Sequence, residues 1–182
     1  MDIYLVRHGE AAAAWGQSRD PGLSELGLQQ AQAAAQSLHS NLAEDVQLLS
    51  SPLARARETA APLAAMLDRP VQINEVFQEI PAPVPLDQRQ QWLRGFMQQR
   101  WDQQPGSLHQ WRQSAVSALL ELQHPTVVFT HFLVLNAVVG QVLCVGETVH
   151  FRPDNGSITH LRYGDGTLEV VSLGQQMQTL IN

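Results

Sequence analysis

The sequence predicts an α/β protein, a three-layer α/β/α sandwich with a mostly parallel central sheet. Short apolar runs of strand length alternate with longer segments in which apolar residues recur at helical spacing. Helices that follow strands in this way cover both faces of a sheet and bring its strands side by side in parallel. The 182 residues contain no internal repeat and no linker long enough to separate two units, so we expect one domain over residues 1–182.

Six short runs are predicted to form strands. Each is rich in apolar or β-branched residues and is followed by polar or turn-forming residues. They cover residues 2–6, 46–49, 71–73, 126–130, 157–163 and 168–173. The last two are separated by Gly164-Asp165-Gly166, so we expect them to form a hairpin.

Five helices are predicted between or after these strands. The first begins at the capping residue Ser24, and the second is expected to begin with Pro52 at its first helical position. Pro62 lies inside the second helix and is expected to kink or interrupt it. A loop with three prolines, residues 81–85, precedes the remaining helices. Those helices are expected at residues 86–102, at residues 108–122 and directly after His131.

The overall charge argues against several classes of partner. A net charge of −6 and a pI near 5.5 disfavour binding to nucleic acid or to an anionic membrane surface. No apolar run approaches the roughly 20 residues that span a bilayer, and the first residues lack the basic region of a secretory signal. We therefore expect a cytoplasmic protein that does not associate with membranes.

The cysteine and histidine content argues against disulfides and metal sites. Cys144 is the only cysteine, which excludes an internal disulfide, and its apolar neighbours at 142–145 predict a buried thiol. Five histidines show no spacing typical of metal ligands: His39, His109, His124, His150 and His160. We expect neither a metal nor a cofactor.

All eleven basic residues are arginines. The absence of lysine excludes a lysine Schiff base and a Walker A phosphate loop. Any anion must therefore be bound by guanidinium groups, imidazoles or backbone amides. Arginine suits a phosphate group because its planar fork contacts two oxygens at once.

Five side chains with acid–base or cationic character follow the predicted parallel strands. They are Arg7, His8, Arg55, Glu79 and His131. Ligands of such sheets bind at the carboxyl ends of the strands, so we expect these side chains to line one crevice. Two arginines and two histidines in one crevice are costly unless an anion offsets them, and a phosphoryl group is the obvious candidate.

These residue types match the needs of phosphoryl transfer. Arg7 and Arg55 can bind the phosphate oxygens, and His131 can donate a further hydrogen bond. His8 can attack the phosphorus while Gly9 lets the backbone turn beside it. Glu79 can protonate the departing alcohol. No metal is required, because the arginines and the histidine supply the positive charge.

Residues 5–10, LVRHGE, resemble the signature of the histidine phosphatase superfamily, which has the phosphoglycerate mutase-like fold. Four further segments resemble segments of this family, in the same order along the chain. They are residues 23–31, 51–60, 127–131 and 155–158. The resemblance covers nearly the whole chain.

The resemblance implies a phosphohistidine intermediate on His8 and a phosphate pocket formed by Arg7, Arg55 and His131. In the second phosphate-binding segment the matching arginine is Arg55, not Arg57. Glu79 is the implied proton donor.

Two positions depart from the family pattern. Ile80-Pro81-Ala82-Pro83 follows Glu79 where many members have a glycine-rich segment, which leaves Glu75 as a nearby rival and Glu10 or Asp20 as distant ones. Phe132 stands where many relatives have glycine, and it is expected to narrow that side of the site.

Four functions fit the predicted site. We favour a metal-independent phosphatase acting on a small phosphorylated metabolite. A phosphoglycerate mutase-type enzyme is less favoured, because the chain is short and the loop at 81–91 offers only Arg89 as an extra cation. The third function is that of a protein phosphohistidine phosphatase, and the fourth is that of a non-catalytic relative that binds phosphorylated ligands.

Two residues are candidates for contact with the rest of the substrate. Trp15 follows the signature and could stack on a ring, whereas Arg89 could reach a second anionic group or could simply be part of a helix surface. The remaining tryptophans, Trp92, Trp101 and Trp111, have helical spacing and are expected to pack between helices.

Overall fold

The computed structural model describes residues 1–13, 18 and 20–177 of the chain. The described part contains one six-stranded sheet, with the strand order β3-β2-β4-β1-β5-β6. The strands are β1 (Asp2–Arg7), β2 (Gln47–Ser50), β3 (Val71–Ile73), β4 (Thr126–Thr130), β5 (Ile158–Gly164) and β6 (Thr167–Ser172). The helices are α1 (Glu25–His39), α2 (Ala54–Leu67), α3 (Arg89–Phe96), α4 (Gly106–Leu120) and α5 (Phe132–Val142).

The sheet is mostly parallel, as predicted. β1 and β4 form the central parallel pair, and β2 continues the parallel part towards β3. β5 pairs antiparallel with β1, and β6 pairs antiparallel with β5. Asp165 and Gly166 connect these last two strands with φ values of 51° and 76°, the left-handed conformations that a two-residue hairpin turn requires.

Alternation along the strands produces the three predicted layers. Ile3 and Leu5 of β1 face one side of the sheet, where they pack against α4 and α5. Val6 faces the opposite side, where α1 and α2 contribute alanine and leucine side chains to the core. A third apolar cluster joins α3 to one end of α4 and α5, and it contains the packed rings of Trp92, Phe96 and Trp101.

The start of α2 differs from the prediction. The helix begins at Ala54, with Leu53 as its N-cap, rather than at Pro52. A side chain from a distant loop supplies the cap, since Asp20 Oδ1 accepts a hydrogen bond of 2.7 Å from the Ala54 amide. Pro62 does not interrupt the helix, which is continuous from Ala54 to Leu67, so of the two expected effects only a kink stays a prediction.

The helix predicted at residues 86–102 is much shorter. Only α3 and two short 3₁₀ turns, Leu86–Gln88 and Trp101–Gln103, form in this region. The chain leaves the helix because Arg100 forms a bridge with Glu147, and the Trp101 amide donates to the Gly146 carbonyl at 2.8 Å. Long-range pairing of the backbone thus outweighs local helix propensity.

The predicted burial of Cys144 is wrong. The thiol is exposed. Helix α5 ends at Val142, and Cys144 takes a φ of 56°, so the chain turns away from the apolar face before the cysteine is reached.

Candidate active site

The crevice at the carboxyl ends of β1 and β4 brings together the two histidines that the sequence motifs single out. The His8 amide donates to the Thr130 carbonyl at 3.0 Å, which links the end of β1 to the end of β4. The rings of His8 and His131 lie edge to face, with centroids 5.2 Å apart. Both side chains are buried.

The ring of His8 is oriented by a backbone carbonyl. Its Nδ1 lies 2.6 Å from the Gly9 carbonyl oxygen, so the proton of a neutral ring belongs on Nδ1. Arg55 Nε donates to His8 Nε2 at 3.2 Å, which places the lone pair on Nε2. Burial, followed by the charges of Arg55 and Arg7, lowers the pKa of His8 to about 3. The imidazole is therefore neutral near pH 7 and has a lone pair beside a guanidinium group.

Arg7 and Arg55 are both buried, and their charges act on this imidazole. Arg7 Nη1 donates to the Pro153 carbonyl at 2.8 Å, and the guanidinium lies 5.2 Å from the ring centre of Phe132. Phe132 thus covers one side of Arg7. Burial lowers the pKa of Arg7 to about 10, which still leaves the group charged at neutral pH.

His131 is held by a serine that the sequence motifs do not single out as functional. His131 Nε2 lies 2.7 Å from Ser51 Oγ, and the same Oγ accepts a bond of 3.3 Å from the Leu53 amide. The Ser51 hydroxyl can donate its proton to Nε2 in the tautomer of His131 that is protonated on Nδ1. This Nδ1 is buried and has no hydrogen-bond partner among the described residues. Burial and the neighbouring His8 lower the pKa of His131 well below its usual value.

Glu79 lies in the same charged environment. Its side chain is buried, and Oε1 accepts a hydrogen bond of 3.1 Å from the Ile80 amide. Burial raises the pKa of Glu79, and this effect is opposed by the Ile80 amide and by the charge of Arg55. A carboxyl group of this kind can hold a proton at higher pH than an exposed one.

The three other carboxylates considered as proton donors lie in environments that differ from that of Glu79. Glu75 is exposed, although it borders the same cavity as Glu79. Glu10 accepts a 2.7 Å hydrogen bond from the Ser24 hydroxyl, and Asp20 caps α2, so both have structural partners. Glu79 is the buried carboxyl group of this set.

Close backbone packing requires glycine at positions 9 and 27, which belong to the first two family-like segments. A Cβ atom on Gly9 would overlap the Gly27 carbonyl, and a Cβ atom on Gly27 would overlap the Glu10 carbonyl. The loop after His8 therefore crosses the first turn of α1 in direct backbone contact. The Gly9 amide also donates to Thr59 Oγ1 at 3.0 Å, which ties this loop to α2.

The family-like segment at residues 155–158 forms hydrogen bonds with the backbone of Arg7 and His8. Asn155 Nδ2 donates to the His8 carbonyl at 3.0 Å, and the Gly156 amide donates to the Arg7 carbonyl at the same distance. Gly156 has a φ of 72°, a conformation that favours glycine. The sequence predicts a strand start at this segment, but the contact of Asn155 with His8 follows only from the fold.

A cavity of about 270 Å³ opens beside the charged residues. Arg55 and Glu79 lie on its wall, together with Arg89, whose Nη2 donates to the Ile80 carbonyl at 3.2 Å. Trp111 also lines this cavity, and its Nε1 donates to the Gln78 carbonyl at 3.2 Å. Helical spacing predicts only a packing role for Trp111. The candidate Trp15 lies outside the described residues.

The described residues contain neither a metal cluster nor a membrane-spanning helix. No group of three or more His, Cys, Asp or Glu side chains in residues 1–13, 18 and 20–177 is arranged to hold a metal ion. Within the same residues, no helix has the length and apolar character needed to cross a membrane.

The fold and the site define an α/β protein with an arginine- and histidine-lined crevice at the carboxyl edge of a parallel sheet. Residues 3–176 match the histidine phosphatase superfamily (branch 1). The chain belongs to this superfamily, as the resemblance of its motifs predicted. Comparison with curated protein sequences finds no match.

Solved structures of phosphatases share the fold. Phosphoserine phosphatase from Entamoeba histolytica, in complex with 3-phosphoglyceric acid, is 22% identical, with a TM-score of 0.73 over 96% of this chain and 97% of that chain. A mycobacterial glucosyl-3-phosphoglycerate phosphatase is 21% identical, with a TM-score of 0.70 over 94% of this chain and 97% of that chain. Both comparisons confirm the phosphoglycerate mutase-like architecture.

Proposed function

We propose that this protein is a metal-independent phosphatase that hydrolyses a phosphomonoester through a phosphohistidine intermediate on His8. The observation that carries this proposal is the orientation of the His8 ring by its two hydrogen bonds. Its Nδ1 is bound to the Gly9 carbonyl at 2.6 Å, and its Nε2 lone pair is 3.2 Å from Arg55 Nε. A neutral imidazole next to a guanidinium group can attack the phosphoryl group that this guanidinium binds.

Phosphate binding rearranges the hydrogen bonds of the crevice. The Nε–H group of Arg55 exchanges its hydrogen-bond acceptor, from His8 Nε2 to a phosphate oxygen. This change frees the Nε2 lone pair for attack. Arg7 contributes a second guanidinium, and His131 donates from Nδ1. Three donors around the equatorial oxygens then supply the charge stabilisation that phosphoryl transfer requires.

The reaction proceeds in two balanced steps. In the first, the His8 Nε2 lone pair forms a bond to phosphorus, the ester P–O bond breaks, and Glu79 gives its proton to the departing alkoxide. In the second, Glu79 removes a proton from water as the water oxygen attacks phosphorus, the P–N bond breaks, and its electrons return to Nε2. Inorganic phosphate is released. The raised pKa of the buried Glu79 supports its role as the acid of the first step.

Membership of the superfamily and the phosphatase neighbours support hydrolysis of a small phosphorylated metabolite. The position of Arg89 on the cavity wall supports contact with the substrate. The proposal includes one catalytic domain over residues 1–182 and a cytoplasmic location, for which the single cysteine is the supporting feature. Mutase activity, protein phosphohistidine hydrolysis and ligand binding without turnover remain the competing functions.

The test is phosphate release from p-nitrophenyl phosphate in the presence of EDTA. The wild type is expected to turn over, and His8→Ala is expected to lose activity at least about a thousandfold. His39→Ala, which changes an exposed histidine at the end of α1, is the matched control and should retain full activity. Equal rates for wild type and His8→Ala would contradict the proposed nucleophile. Phosphoryl transfer between positions of a phosphoglycerate without net release would instead identify a mutase.

A further inference from the structure

The wall of the cavity next to the phosphate crevice combines charged residues with a set of apolar side chains. Its lining includes Leu53, Ile80, Leu86, Leu93 and Trp111, which come from separate segments of the chain. From this wall we infer that the preferred substrate is the phosphomonoester of an apolar, ring-bearing alcohol rather than a small phosphorylated acid. The inference rests on the proposed phosphatase function, because it concerns the alcohol that leaves the phosphoryl group.

The position of the cavity matches that of a leaving group. Arg55 and Glu79 border it directly, and these are the residues proposed to hold the phosphoryl group and to protonate the departing oxygen. A substrate with its phosphate at Arg55 and its ester oxygen at Glu79 therefore extends its alcohol portion into this space.

The size of the cavity fits one ring with its linker. An apolar cavity of about 150 Å³ is large enough to hold benzene. The cavity here measures about 270 Å³, so an aromatic or alicyclic ring on a short chain fills a large part of it. The glycerate or serine portion of a small phosphorylated acid would leave most of the apolar side chains in contact with water.

Two of the polar side chains on the wall are hydrogen-bonded to backbone carbonyls. Trp111 Nε1 donates to the Gln78 carbonyl, and Arg89 Nη2 donates to the Ile80 carbonyl, each at 3.2 Å. Glu75 borders the same space with the charge opposite to that of Arg89. A second carboxylate on the substrate would therefore meet a carboxylate as well as a guanidinium, and most of the favourable contact comes from the apolar side chains.

The selectivity is measured with esters whose alcohols have similar intrinsic reactivity. We compare kcat/KM for 2-phenylethyl phosphate, ethyl phosphate and phosphoserine. Burial of a phenyl ring in the transition state predicts a kcat/KM about 10- to 100-fold higher for 2-phenylethyl phosphate than for ethyl phosphate or phosphoserine. The corresponding phosphonates, which cannot be hydrolysed, should show the same order in binding affinity by calorimetry.

A substitution in the cavity wall tests whether this cavity produces the preference for the phenyl ester. Leu86 is half-buried in a short turn, and Leu86→Gln is expected to reduce the preference for the phenyl ester by about three- to tenfold. Leu28→Gln, at a leucine that is 53% exposed on α1, is the matched control and should leave it unchanged.

The outcomes separate the two proposals. His8-dependent turnover without a preference for the phenyl ester, or with phosphoserine preferred, would overturn the inference and leave the phosphatase function intact. A phenyl preference that survives Leu86→Gln unchanged would also overturn it, since another surface would then bind the ring. Failure of every ester to show His8-dependent turnover would contradict the phosphatase function, and the substrate class proposed for it would fall with it.

Discussion

At the level of single residues, a backbone carbonyl rather than a carboxylate orients the ring of His8, the proposed nucleophile. The Gly9 carbonyl accepts from His8 Nδ1, so no carboxylate raises the basicity of the ring through this nitrogen. Burial and two nearby guanidinium groups keep the pKa of His8 at about 3, so the neutral form dominates. In the proposed reaction, the bound phosphate dianion adds negative charge beside the ring, and this favours the positive charge that would develop on a phosphorylated imidazole.

Glu79→Gln is the substitution that tests the proton donor. It retains the shape of the side chain but removes the transferable proton, so kcat for an alkyl phosphate should fall about 10²- to 10⁴-fold. The phosphoryl-transfer step for p-nitrophenyl phosphate should be much less affected, because nitrophenolate leaves without protonation. Pre-steady-state release of nitrophenol measures this step. Glu75→Gln is the control, and a larger loss in that variant would assign the acid to Glu75 instead.

Ser51→Ala tests the proposed orientation of His131. Loss of the hydroxyl removes the 2.7 Å hydrogen bond to Nε2 and allows the proton to move from Nδ1 to that nitrogen. Phosphate affinity should fall about 3- to 30-fold, and ¹⁵N chemical shifts of the ring should report a changed tautomer. Ser51→Thr retains a hydroxyl and should restore the wild-type shifts. Unchanged shifts in Ser51→Ala would contradict the assignment.

The site residues differ in how far the sequence could predict them. Five of them follow strands that meet at one sheet edge, so topology alone brings them together: Arg7, His8, Arg55, Glu79 and His131. Sequence patterns do not assign Ser51, Asn155 or Trp111 to the site. Their contacts join segments far apart in the chain, as for Asn155 and His8, and neither spacing nor periodicity encodes such pairings.

At the level of elements, the position of Arg55 depends on a cap supplied from outside its helix. Arg55 is the second residue of α2, and the N-cap, Leu53, has no side-chain acceptor. Asp20 supplies this acceptor from the loop before α1. The same loop is attached to α2 a second time, because Glu58 Oε2 accepts from the Leu23 amide at 2.7 Å.

Asp20→Ala is therefore expected to lower both stability and activity. Loss of a cap typically costs about 0.5–2 kcal/mol of unfolding free energy, measured here by urea denaturation. Because α2 carries Arg55, KM for phosphomonoesters should rise as well. Asp102→Ala changes an exposed carboxylate, paired with Arg100 at 3.8 Å, and should be nearly neutral. An effect of Asp20→Ala no larger than that of Asp102→Ala would exclude the capping role.

The elements also show where local sequence patterns lose their predictive value. The predicted strands and the Ser24 cap agree with the structure because their signals are local. The second helix starts later than predicted because its cap comes from Asp20, and the helix after residue 86 is cut short by pairing of Arg100 with Glu147. Both differences arise from contacts between distant segments.

At the level of the whole molecule, the buried histidines make stability depend on pH. His8 and His131 have lowered pKa values in the folded protein, whereas an unfolded histidine titrates near 6.5. Below about pH 6.5 the unfolded chain therefore binds more protons than the folded one. The folded state loses stability as pH falls through this range.

The expected slope is up to about 1.4 kcal/mol per pH unit for each of the two histidines between about pH 6.5 and 5. Urea denaturation at a series of pH values measures it. His8→Gln should flatten the slope, because it removes one of the two groups, whereas His39→Gln, at an exposed position, should not. A His8→Gln variant with the wild-type slope would show that His8 titrates alike in the folded and unfolded chains.

The most direct measurement is the detection of the covalent intermediate. Wild type is mixed with p-nitrophenyl phosphate, quenched in alkali, in which phosphohistidine is stable, digested, and analysed by mass spectrometry. Glu79→Gln is treated in parallel, since slow hydrolysis of the second step should make the intermediate accumulate. We predict one added phosphoryl group on His8. Phosphate release with His8 unmodified in both proteins, or a phosphoryl group on another residue, would contradict the mechanism.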